Sequence, residues 1–264
     1  MADALDDEWW LEQDVENIDK IGEKRRHKEV DVQTTDDHNA DGDTKGKTKK
    51  TRKKPKIESV ATELDGSKAG DVLWRSFCDS TAGSLSTLEL EDIMIDSSCC
   101  LLDDSTHTGV LAEVIPYLSK VIPHWSGNVA KLDRRGDKGA PILLVLSSAA
   151  TRAVDLNRSA AEFKGNCKTV KLFAKHMKMS EQESFLDSHV VHFGIGTPSR
   201  ILKLLQNGTL KTSRLKYVIL DWTWRDQKLR RMIDIPEVRG ELINLLKDFV
   251  FPLAKASKLK IGLF

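Results

Sequence analysis

Five short apolar runs, at 142–146, 169–173, 190–193, 217–220 and 259–263, alternate with segments in which apolar residues recur at helical spacing, near 151–162, 176–186, 199–206 and 237–254. A strand that is apolar at consecutive positions has no polar face to turn to water, so a sheet of such strands must be covered on both sides. The intervening helices supply that cover, and each strand–helix–strand step returns right-handed onto the sheet. The predicted fold is α/β: a parallel sheet between two layers of helices. Further helical spacing lies near 69–80, 85–91 and 108–120, and the charged, turn-rich stretch 126–139 reads as a surface loop.

The first quarter of the chain cannot join such a domain. Residues 1–60 hold few large apolar side chains and are dominated by Asp, Glu, Lys, Thr and Gly, too little apolar surface to offset the entropy of ordering. We expect a disordered arm over 1–60 and a globular domain over 68–264. The net charge of +1 conceals segregation within the arm, where fifteen Asp/Glu face five Lys/Arg over 1–43, while 45–56 carry eight cations and no anion. That basic run, with Lys49, Lys50, Arg52, Lys53, Lys54 and Lys56, fits nuclear or nucleolar targeting and polyanion binding, since phosphate contacts release condensed counterions. Trp9 and Trp10, set among acids, read as an anchor for a partner, because indoles are enriched at interface hot spots.

Several classes are excluded as expectations. No apolar run approaches the ~20 residues of a membrane helix, and the acidic N-terminus is unlike a secretory signal, so an intracellular, soluble protein is expected. Four cysteines show no CxxC pair and His189/His192 have no neighbouring ligand at metal spacing, so no metal is expected.

In an open parallel sheet, ligands bind beyond the carboxyl ends of the strands. The loop at 147–155 contains Thr151 and Arg152, the loop at 194–200 contains Gly194, Gly196, Thr197 and Arg200, and the loop at 221–226 contains Trp222, Trp224 and Arg225. Glycines at 194 and 196 would let the backbone approach a ligand, and Pro198 would open a helix whose amino end and Arg200 suit a phosphate. Trp222 and Trp224 lie two apart on an extended segment and face opposite ways, so one is expected buried and one available for stacking on a base.

These residues carry a resemblance. Ala150-Thr151-Arg152-Ala153-Val154 resembles the PTREL element of DEAD-box RNA helicases, Gly196-Thr197-Pro198-Ser199-Arg200-Ile201-Leu202 resembles their GTPGRL element, and the strand ending at Asp221-Trp222 resembles the one that carries the DEAD box. The N-terminal tip with Asp7-Glu8-Trp9-Trp10, the block 171–176, the stretch 221–232 and the ending 259–264 are similar to the Cms ribosomal small-subunit homologue family. The resemblance implies a single degenerate RecA-like domain. It carries Thr151, Arg152, Gly196, Thr197 and Arg200 into contacts with a single-stranded RNA backbone.

ATP turnover is not implied. The GK[ST] loop is missing, 105–110 reading Ser-Thr-His-Thr-Gly-Val, and Trp222 replaces the glutamate that would orient water. With no second lobe within the 264 residues, the expectation is a non-catalytic, nucleolar RNA-binding factor of small-subunit assembly. Its expected partners are pre-ribosomal RNA and assembly proteins, with no cofactor, membrane or small-molecule substrate. Two alternatives stay open: a protein scaffold on a relic helicase fold, and a dinucleotide-binding enzyme, for which Gly194-x-Gly196-x-x-Ser199 is a weak fingerprint.

Overall fold

The apolar runs become five strands in a computed structural model of the protein, which describes residues 69–102, 107–175 and 177–264. They are β1 Leu143–Leu146, β2 Thr169–Leu172, β3 Phe193–Gly196, β4 Tyr217–Leu220 and β5 Lys260–Leu263. All pair in parallel, in the order β2-β3-β1-β4-β5, and every position of β1 and β3 is buried. The α/β reading with a parallel sheet is borne out. The arm over 1–60, with Trp9, Trp10 and the basic run, lies outside the described residues.

The helices are α1 Ala69–Thr81, α2 Thr87–Ile93, α3 Val114–Val121, α4 Trp125–Arg135, α5 Ala150–Ser159, α6 Ala161–Lys164, α7 Met179–Ser188, α8 Pro198–Gln206, α9 Pro236–Leu245 and α10 Phe251–Lys255. Right-handed crossovers put α5 and α6 on one face of the sheet and α7, α8, α9 and α10 on the other. The helix expected near 237–254 is divided by a π turn, Leu246–Val250, immediately before Pro252, which has no N–H to continue an α-helical ladder.

Two expectations are corrected. The third strand does not span 190–193 but begins at Phe193 and runs through Gly196, paired to Leu143–Leu146 on one side and to Thr169–Leu172 on the other. Apolar character marked burial, whereas the ladder continued into residues whose small side chains had read as a loop. The stretch 126–139 is mostly helix: α4 buries only Trp125 and Leu132, two turns apart, and ends at Gly136 in the left-handed region. A helix with so narrow an apolar stripe looks polar in sequence. It is fixed from outside, by Trp125 stacked on Phe163 at 5.2 Å and by His192. Lys168 N–H donates to His192 Nδ1 (3.0 Å), which leaves the proton on Nε2, 2.8 Å from Asp133 Oδ1 on α4.

The chain leaves β1 toward β2 and leaves β4 toward β5, in opposite directions. The topological crevice therefore opens between the carboxyl ends of β1 and β4, where Ser147 and Asp221 follow the strands. The four cysteines are free thiols, and burial pushes Cys100 up to about 12 and Cys167 up to about 11, so both stay protonated.

Candidate nucleic-acid interface

At the crevice, Asp221 is 1% exposed and both of its carboxylate oxygens are engaged. Arg152 donates from Nε to Oδ2 (3.1 Å) and from Nη2 to Oδ1 (3.0 Å), and Ser147 Oγ donates to Oδ2 (2.9 Å). Burial pushes the Asp221 carboxyl up from its ordinary range, and Arg152 and Ser147 pull it back toward the ionised form. The same Arg152 Nη2 donates to the Gly109 carbonyl at 2.6 Å, and its guanidinium lies 5.7 Å from the Trp224 ring centroid.

Gly109 sits at φ +74°, and a Cβ there would stand 2.5 Å from Thr223 Oγ1. Gly109 is thus packed against the β4 loop and presents its carbonyl to Arg152.

Arg152, read from sequence as an RNA contact, stands in the crevice paired with Asp221. At 7% exposure its charge is committed within the domain. Arg200, read from sequence as a second RNA contact, is 9% exposed, donating from Nη1 to Gln182 Oε1 (2.7 Å) and from Nη2 to the Met177 carbonyl (3.2 Å). Gln182 in turn donates to the carbonyls of Lys171 and Phe173 (2.8 and 3.2 Å). Arg200 thus ties α8 to α7 and to the end of β2. The physical reason is common to both arginines: a guanidinium near a sheet edge is desolvated by the helices packed over it, and then needs acceptors from within.

Gly194 and Gly196 also serve packing. Both are buried in β3, and a Cβ on Gly196 would lie 1.9 Å from the Leu172 carbonyl oxygen of the neighbouring strand. Thr197 is half-buried, precedes α8 without making a side-chain cap, and Pro198 occupies the first turn as expected.

Of the two tryptophans, Trp222 is 1% exposed, its ring 5.6 Å from the Arg231 guanidinium, and Trp224 is half-buried. One is enclosed and one reaches the surface. Arg225 Nη1 donates to the carbonyls of Trp222 and Thr223 (3.0 and 2.8 Å), so this side chain braces its own loop. Thr151 is exposed in the first turn of α5. Ser147, Gly109 and Gln182 were not singled out from sequence. Ser147 stood in a recognised loop, but Gln182 had no signal at all, because its role is set by the packing of α7.

A family model described as CMS1, U3-containing 90S pre-ribosomal complex subunit, matches residues 13–256. Human protein CMSS1 is 39% identical over 219 residues, covering 83% of this chain and 76% of its own length. The Xenopus laevis protein CMSS1 is 35% identical over an alignment that covers 100% of both chains. A solved DEAD box protein from the hyperthermophile Methanococcus jannaschii is similar at a TM-score of 0.33 and 20% identity, over 53% of this chain and 34% of that one.

Proposed function

The chain belongs to the CMS1 family of U3-containing 90S pre-ribosomal complex subunits, and from that premise we propose that it is a nucleolar RNA-binding assembly factor that works without nucleotide turnover. Membership supports a role in ribosome biogenesis and partners among pre-ribosomal assembly proteins. The observation that carries the non-catalytic part is the closed pair between Arg152 and Asp221. Phosphoryl transfer of the helicase type needs a carboxylate free to hold Mg²⁺ and a loop of N–H donors around the phosphates. Here the carboxylate oxygens are taken by Arg152 and Ser147, and Gly109 presents a carbonyl. Freeing Asp221 would leave Arg152 buried without its counter-charge, at about 3–5 kcal/mol.

RNA binding then falls to groups that stay accessible. At the carboxyl-end face these are Thr151, Thr197 and Trp224, with hydroxyls for phosphate oxygens and an indole for base stacking. The basic run at 45–56 adds sequence-independent affinity and nuclear targeting. The internal commitment of Arg152 and Arg200 favours, as a second reading, a scaffold whose helicase-like face binds only protein. Titration of the full-length chain with ATP·Mg²⁺ and with single-stranded RNA tests both. Salt-dependent RNA binding without ATP hydrolysis is expected. RNA-stimulated hydrolysis that survives repurification overturns the non-catalytic reading, and absence of RNA binding leaves the scaffold.

A further inference from the structure

At the end of the sheet opposite the crevice, a cleft of about 500 Å³ opens between α4 and the residues leading into β1 and β4. Its cations are Lys131, Arg134 and Arg135 from α4, and Arg214 and Lys216 from the segment before β4. The sequence reading placed the first three in a loop and gave them no role. As residues i, i+3 and i+4 of a helix they share one face, where like charges destabilise by roughly 0.2–0.5 kcal/mol per pair. Their place in the last turns of α4 offsets part of that through the helix dipole.

Compensation by acids is slight. Asp137 pairs with Arg214, while among the described residues Lys131 and Arg135 have neither ion-pair nor hydrogen-bond partners. Two of the side chains are already held: Lys216 Nζ donates to Asn128 Oδ1 (2.9 Å) and Arg134 Nε to the Ala130 carbonyl (3.1 Å). Holding these side chains in advance lowers the entropy cost when they engage a ligand.

We propose that this cleft is the site for the phosphodiester backbone of single-stranded RNA, a proposal that rests on the RNA-binding reading above and places the main contact at the amino-terminal ends of the strands. The guanidinium groups of Arg134 and Arg135 can meet phosphate bidentately and stack on exposed bases, which ammonium groups alone do not. Leu132 and Ile142 form the floor and are each 3% exposed, so a ligand entering the cleft meets chiefly the cationic side chains and their stems.

The test uses full-length protein and labelled single-stranded RNAs of unrelated sequence, titrated across a series of salt concentrations. Compared with wild type are the variant K131Q/R134Q/R135Q/K216Q, a charge-retaining R134K/R135K variant, and a variant with the cations of 45–56 changed to Gln. The four-site variant is expected to bind at least tenfold more weakly at low salt, for every sequence alike. Its log–log salt slope should flatten by roughly 0.7 for each phosphate that is no longer neutralised. The R134K/R135K variant should keep the slope. These side chains are on the surface, so melting temperatures should match wild type and report any misfolding separately.

An unchanged slope and affinity in the folded four-site variant overturns the cleft and leaves the RNA-binding reading standing through the arm. Wild-type protein that binds no RNA overturns both. A four-site variant that loses polyglutamate but keeps RNA identifies an acidic-protein dock and overturns the proposal.

Discussion

The two ends of the sheet hold comparable sets of basic side chains and use them in opposite ways. At the carboxyl ends of β1 and β4, Arg152 is neutralised by Asp221, and behind β3 Arg200 is satisfied by Gln182 and Met177. At the amino ends, Lys131 and Arg135 have no partner among the described residues, over a floor closed by Leu132 and Ile142. One end has turned ligand-binding residue types into internal braces, and the other leaves its charge available.

The largest effect should come from opening the buried pair. Asp221→Ala leaves the Arg152 guanidinium enclosed without a counter-charge and should lower stability by about 3–5 kcal/mol in denaturant unfolding. The double variant Arg152→Met/Asp221→Leu should recover most of that stability. If Asp221→Ala unfolds at the wild-type denaturant concentration, Asp221 is not a brace and the carboxyl end regains its claim to a ligand.

Gly196→Ala ranks next. With a Cβ forced to 1.9 Å from a backbone oxygen, strands β2 and β3 must separate, and a destabilisation at the upper end of ~1–3 kcal/mol is expected from thermal unfolding. Arg200→Ala should reduce stability by about 2 kcal/mol, as for a buried hydrogen bond to a charged group, while RNA affinity measured on the same sample stays at wild type. Weaker RNA binding at unchanged stability would return Arg200 to the interface and erase the contrast between the two ends.

The smallest effect is a pH dependence from α6. Burial pushes the Lys164 ammonium down to about 8 from its ordinary 10.5. The folded pKa lies below the unfolded one, so between those values the unfolded chain binds more protons and stability rises with pH. Lys164 is partly exposed, and solvent screening should hold the gain to under about 1 kcal/mol. Lys164→Met should flatten the profile of melting temperature between pH 8 and 10.5, and a wild-type profile that falls over this window would contradict the assignment.

Strand positions were legible because consecutive apolar residues can be buried only in a sheet covered on both faces, and four of the five runs stand within a residue or so of their expected places. The run at 190–193 was displaced because a ladder is defined by pairing, which here continues through Gly194 and Gly196. Helix α4 was not legible, since Trp125 and Leu132 alone give too narrow a stripe and its docking depends on Phe163 and His192, far along the chain. With it went Lys131, Arg134 and Arg135.

The sequence by itself determined the alternation of strands and helices, the charge segregation of residues 1–43 and 45–56, and the likeness that led to the family, all of which follow from local composition and spacing. Which arginines keep their charge at the surface was decided only by the tertiary structure. Arg152 meets Asp221 across 69 positions of chain and Arg200 meets Gln182 across 18. Burying a guanidinium forces it to find acceptors inside the protein, and the N–H groups engaged there are not free to meet a phosphate.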